Sequence, residues 1–244
     1  QTTRYQILGV NTAGDVQLVF VDTPGLHKPV TALGERVNAT ALESTDDADV
    51  VCLVVDATQP IGKGDRWVAE RFDISRAIVV VNKIDRVGRR QLLEQLAAAG
   101  SLGASAYFPL SARTGEGVGE LVAELVRLLP EGPLYFPDDV VSDLPDEEWV
   151  AELVREQLLR LTHDELPYSI ATRVTEWEWP RVRCEIIVER DSQKGMVIGK
   201  GGSMLKAVGE AVRKQMPQGV FIELHVKVDK DWQRRPDRVE RLGY

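Results

Sequence analysis

Three short groups of polar and small residues directly follow apolar runs in this chain. The first, Asn82-Lys83-Ile84-Asp85, directly follows the apolar run 77–81. A carboxylate at Asp85 can accept two parallel hydrogen bonds from the N1–H and exocyclic N2–H of guanine, whereas adenine has no matching donor pair. Asn82 can bond the base edge and tether a neighbouring loop, while the stem of Lys83 packs on the ring plane. These residues are also ordinary loop formers, so the group alone has the alternative reading of a polar loop after a strand. The second group, Asp22-Thr23-Pro24-Gly25, closes the apolar run 18–21. Asp22 at a strand end can join a Mg²⁺ shell, and the Gly25 N–H can face a terminal phosphate. Taken alone, it is equally a turn at a strand end. The third is Ser111-Ala112, small residues whose backbone N–H groups can reach a guanine carbonyl. A Ser-Ala pair means nothing by itself; its position after the other two groups is what counts.

Such groups must be carried on the ends of strands. Residues 50–56 and 77–81 are continuous apolar runs, the pattern of strands covered on both faces. A shorter strand is expected at 106–110, and a hairpin at 5–10 and 17–22 around Asn11-Thr12-Ala13-Gly14-Asp15. Helical periodicity covers 33–44, 64–72, 89–99 and 117–129. This alternation predicts an α/β domain with a mostly parallel sheet and helices on both faces. In such sheets ligands bind at the carboxyl edge, so all three groups are expected on one edge of one sheet.

Between 131 and 148 the composition turns to Pro, Asp, Glu and Gly, which marks a semi-rigid linker. Beyond it the periodicity predicts a helix at 148–161 with Trp149, Leu153, Gln157 and Leu161 on one side. Strands follow at 168–176 and 183–190, an apolar turn at 196–198, a helix at 203–215 and an alternating strand at 220–228. The order is α-β-β-α-α-β, a compact α+β domain. Gly199-Lys200-Gly201-Gly202 falls between its two central helices, with Lys194, Lys206, Arg213 and Lys214 nearby. Glycines there let a nucleic-acid backbone approach, and a helix N-terminus beside Lys200 favours phosphate. A lone G-x-x-G is also a common helix joint. Trp177 and Trp179 can stack bases or pack internally, and Trp232 lies beside the charged Arg234-Arg235 pair.

The bulk properties narrow the class. No stretch approaches the roughly 18 apolar residues of a membrane span, and no secretory signal is visible. Residues 1–147 hold 13 basic and 22 acidic side chains, and residues 148–244 hold 17 and 16, so the acidity belongs to the front half. Two parts with different partners follow from that asymmetry. Cys52 and Cys184 lie far apart in apolar runs and read as two buried free thiols in a reducing cytoplasm. Neither they nor His27, His163 and His225 have zinc-ligand spacing.

With DTPG, NKID and SA in that order, the chain resembles a translation-factor-class P-loop GTPase. The α-β-β-α-α-β order around Gly199–Gly202 resembles a type II KH domain. Together with QTTR, LPYS, VERDSQKGMVIGKGG and the closing LGY, these motifs are similar to those of the bacterial ribosome-assembly GTPases that carry a C-terminal KH domain. The resemblance implies a GTPase domain over 1–134, a linker over 135–147 and a KH RNA-binding domain over 148–244. It implies GTP/GDP and Mg²⁺ as cofactors. Thr3, or its neighbour Thr2, would ligate Mg²⁺ with Asp22, while Asp22, Gly25, Asn82, Lys83, Asp85, Ser111 and Ala112 hold the nucleotide. RNA would meet Lys194, Gly199, Lys200, Gly201, Gly202, Lys206, Arg213 and Lys214. The implied partners are the 3′ end of 16S rRNA and the small ribosomal subunit, at a cytoplasmic location with peripheral contact to the inner membrane. Nothing in the sequence marks an obligate oligomer.

Two departures stand out. The phosphate loop G-x-x-x-x-G-K-[ST] is absent from these residues and is expected upstream of Gln1. Without it, these 244 residues are expected to be inactive in hydrolysis. Leu26 stands where other GTPases place a water-orienting Gln, so no catalytic residue is assigned and slow turnover is expected. The competing reading is a non-enzymatic RNA-binding module whose α/β half is a scaffold.

Overall fold

A computed structural model describes residues 4, 6–137, 139–142, 144–162 and 166–244. The chain divides into two compact units. One comprises residues 8–28 and 38–141; the other comprises 1–7, 29–37 and 142–244.

The first unit is built on a three-stranded parallel sheet of β3 (Cys52–Asp56), β4 (Ile78–Asn82) and β5 (Ala106–Pro109), in that order. β4 is central, and its four Ile and Val residues are all buried because helices cover both faces. On one face, Leu125 of α4 (Val118–Leu128) packs with Ile78, Val80 and Leu110. On the other, α3 (Arg89–Gly100) places Leu92, Leu96 and Ala99 against Val79, Val81 and Val55. α2 (Lys63–Ala69) joins β3 to β4. β3 departs from the expectation of burial on both faces: Val54 is 59% exposed and Cys52 is exposed too. α4 covers β4 and β5, so the alternate residues of β3 on that face extend past its reach.

β1 (Ile7–Ala13) and β2 (Val16–Asp22) form a separate two-stranded sheet. The turn is only Gly14-Asp15, tighter than the five-residue stretch expected, because Asn11, Thr12 and Ala13 continue the strand. Gln17 uses both amide atoms to hold the following segment. Its Oε1 accepts from Tyr135 N (2.9 Å) and Phe136 N (3.0 Å), and its Nε2 donates to Phe136 O (2.9 Å).

In the second unit, the sheet runs β6 (Ala171–Glu178), β7 (Arg181–Val188), β8 (Phe221–Val228), with an antiparallel first pair and a parallel second pair. α5 (Asp146–Leu161), α6 (Asp191–Ile198) and α7 (Ser203–Arg213) build its main core with Val182, Cys184 and Ile186. The buried stripe of α5 is Val150, Leu153, Val154, Gln157 and Leu158, while Trp149 and Leu161 are exposed. Strict i+4 spacing drifts around a 3.6-residue helix, so a straight stripe needs the alternating i+3, i+4 steps seen here. The apolar 196–198 segment is the end of α6, not a turn. Burial pushes the Cys184 thiol up to about 12.

A second core in this unit gathers Leu33 and Val37 of α1 (Ala32–Asp46) with Ala171, Ile187, Trp232, Val239, Leu242 and Tyr244. Arg4, also buried, lies 5.7 Å from the ring centroids of both Trp232 and Tyr244 and donates to Ile170 O at 2.6 Å. Trp232 is thus a packing residue, and α8 (Pro236–Arg241) behind it had no sequence signal beyond a charged run.

Candidate nucleotide and nucleic-acid sites

The register aligns Asp56 with Asn82 and Val81 with Pro109, so the loops after all three parallel strands open at one level. Those loops are bonded to one another. Asn82 Oδ1 accepts from Lys83 N (2.7 Å) and from Ala112 N (3.0 Å), linking the β4 and β5 loops. Ser111, fully buried, donates its hydroxyl to Asp85 Oδ1 at 2.6 Å. Arg113 donates Nε (3.0 Å) and Nη2 (2.6 Å) to Asp85 Oδ2. The Ser111 hydroxyl, followed by the Arg113 guanidinium, holds the Asp85 carboxyl below the usual carboxylate range. Lys83 lies in the left-handed region at φ 67°, and its Nζ donates to Asp56 Oδ2 at 2.6 Å.

Asn82, Lys83, Asp85, Ser111 and Ala112 therefore form one bonded cluster. Three further members were missed by sequence reasoning: Asp56, Thr58 and Arg113. Thr58 donates its N–H (2.8 Å) and hydroxyl (2.7 Å) to Asp56 Oδ1. An acidic residue ending an apolar strand was the available signal for Asp56; Arg113, in an exposed loop, had none.

On the phosphate side, Asp22 and Gly25 are exposed and Pro24 between them is buried. Asn38 of α1 staples the loop that follows: its Nδ2 donates to His27 O (2.6 Å) and its Oδ1 accepts from His27 N (3.2 Å). The expectation of one continuous sheet edge is not met among the described residues. β2 pairs with β1 only, and Leu18 reaches the parallel sheet by side-chain packing, not by backbone hydrogen bonds. A single exposed carboxylate at Asp22 fits Mg²⁺, which is commonly held by one or two carboxylates plus substrate phosphates and water. Thr2 and Thr3 lie outside the described residues.

In the second unit, α6 stops at Gly199, whose φ of 73° suits glycine. A Cβ there would come within 2.8 Å of Met204 N, so the close turn from α6 into α7 requires a glycine. Lys200 projects from this turn, exposed. Lys194 lines an open groove of about 480 Å³ with Arg183, Glu185, Asp191, His225 and Lys227. Lys206 is 3.9 Å from Glu210. Arg213 and Lys214 end α7, about 15 Å along its axis from the glycine turn at 1.5 Å per residue, so they do not belong to the same cluster. Trp179 is exposed, with its ring centroid 6.3 Å from that of Trp177. Among the described residues, no helix is long and apolar enough to cross a membrane.

A parallel sheet presenting NKID and Ser-Ala loops, followed by a β-β-α-GxxG-α-β unit, defines a GTPase domain joined to a KH domain. Family models agree: residues 1–83 match the 50S ribosome-binding GTPase family and residues 165–233 match the KH domain. The chain is 42% identical over 263 aligned residues to GTPase Era of Mycobacterium tuberculosis, spanning 100% of this chain and 87% of that protein. It is 41% identical over 261 residues to GTPase Era of Mycolicibacterium smegmatis, with the same coverage. It superposes at TM-score 0.93 and 35% identity on a crystal structure of Era in complex with MgGDPNP and nucleotides 1506–1542 of 16S ribosomal RNA. A point variant of Aquifex aeolicus Era bound to GDP·AlF4⁻ matches at TM-score 0.92 and 35% identity; both matches cover 100% of this chain and 87% of the other. The chain belongs to the Era family of GTPases.

Proposed function

We propose that the protein is a GTP-hydrolysing switch that binds the 3′ end of 16S rRNA through its KH domain and assists small-subunit assembly. The observation that carries the nucleotide half is the bonded cluster of Asn82, Asp85, Ser111 and Ala112 at one sheet edge. In this reading Asp85 selects guanine, the Ala112 N–H turns from Asn82 Oδ1 to the base carbonyl, and the stem of Lys83 covers the ring. Asp22 and Thr3 would hold Mg²⁺, which would supply charge neutralisation at the phosphates, and Gly25 would report the γ-phosphate. Leu26 cannot orient water, so hydrolysis is slow without a partner. The RNA half rests on the Gly199–Gly202 turn with Lys194, Lys200 and Lys206; Arg213 and Lys214 would extend the contact along α7. Support for both halves comes from the family, one of whose members has been crystallised with MgGDPNP and 16S rRNA nucleotides.

In the same reading the GTPase domain spans 1–134, a linker 135–147 and the KH domain 148–244, and the protein works in the cytoplasm. Peripheral contact with the inner membrane rests on the family resemblance alone. The test is nucleotide binding by the complete gene product. Guanine nucleotides are expected to bind and adenine nucleotides not, and Asp85→Asn is expected to shift preference toward xanthine nucleotides. Equal affinity for ATP and GTP, or an unchanged preference in Asp85→Asn, would refute the reading.

A further inference from the structure

The contact between Arg113 and Asp85 does more than stabilise a loop. A carboxylate offers about two acceptor positions on each oxygen. Ser111 takes one on Oδ1. Arg113 directs both Nε and Nη2 at Oδ2, which fills that oxygen. A guanine presents N1–H and N2–H as a parallel pair, one for each carboxylate oxygen. Its pair therefore cannot form while both Arg113 donors remain on Oδ2. Asp85 is only 9% exposed at its side chain, so the two donors compete for the same open side. Arg113 itself is 77% exposed and can leave without disturbing the core.

We infer that Arg113 is a gate on the base site: its guanidinium fork occupies the acceptor that guanine needs and is displaced when guanine binds. The inference rests on the guanine reading of Asp85 given above. It makes Arg113 a residue that sets the rate of nucleotide entry. The opposite expectation follows from charge alone, since removing a cation beside an anionic ligand's site slows association.

Stopped-flow association of mant-GDP with the complete gene product, in Mg²⁺, separates the two. Arg113→Ala is expected to speed association about two- to fivefold, the factor corresponding to an exposed charge pair of ordinary strength. Arg113→Lys, which keeps the charge but loses the fork, is expected to speed it as well. Arg90→Ala serves as control, because Arg90 pairs with Glu94 instead, and it should match the wild type. If the wild type binds mant-GDP and neither Arg113 variant is faster, the gate is overturned while guanine recognition stands. If the wild type fails to bind mant-GDP at all, the guanine reading and the gate fall together.

Discussion

From its left-handed backbone, Lys83 reaches across the strand ends to Asp56, and this pair ties the end of β3 to the loop after β4. Partial burial would raise the Asp56 pKa, but the Lys83 ammonium and the Thr58 hydroxyl and N–H outweigh it and hold the group at about 2 against an ordinary 3.8. A depressed carboxylate pKa stabilises the fold above the unfolded value, and that stability is lost as pH falls through the folded value. The difference in thermal midpoint between wild type and Asp56→Asn should thus be constant above about pH 5, shrink between about pH 4 and 2, and vanish below. A difference independent of pH would show that ionisation of Asp56 is not what stabilises the edge. Asp85, Asn82 and Ser111 were legible because each follows an apolar run that marks a strand. Arg113 and Asp56 were not: their contacts, with Asp85 and Lys83, cross 28 and 27 residues of sequence, and no local pattern encodes which loop tips meet.

Among the elements, the turn from β5 into α4 has no room for a side chain at Gly117. Gly117 has φ 75°, and a Cβ there would lie 2.4 Å from Pro109 O and 3.0 Å from Leu110 Cβ. Glu116 O beside it accepts from Ser111 N at 2.8 Å, so strain at Gly117 reaches the residue that positions Asp85. Gly117→Ala should cost on the order of 2 kcal/mol in chemical denaturation, the scale of a non-glycine residue forced into a disfavoured backbone region. An unchanged stability would mean that the turn relaxes freely. Most elements were readable, since β4 is a pure apolar run and α4 and α7 are strongly periodic. The buried stripe of α5 takes in Leu153 and Gln157 but leaves Trp149 and Leu161 exposed, because it follows mixed three- and four-residue steps. α8 was missed because a six-residue helix rich in Arg, Asp and Glu shows almost no apolar period; only Val239 among its residues is buried.

Along the chain, the family match to the GTPase falls in the acidic segment 1–147 and the match to the KH domain in the near-neutral segment 148–244. α1, which follows the DTPG loop, contributes to both compact units: Leu33 and Val37 belong to the core around Trp232 and Tyr244, while Asn38 staples the loop at His27. A helix shared in this way gives the phosphate side of the nucleotide site a covalent route to the KH unit, and in many GTPases such segments order around the γ-phosphate. The bound nucleotide is therefore expected to set the affinity for RNA, which titration under two nucleotides measures directly. The complete gene product is titrated with a fluorescent single-stranded RNA matching the 3′ end of 16S rRNA, once with a non-hydrolysable GTP analogue and once with GDP. Binding about 5- to 150-fold tighter with the analogue is expected, the usual range for coupled sites. Equal affinity under both nucleotides would show that the bound nucleotide does not govern RNA binding.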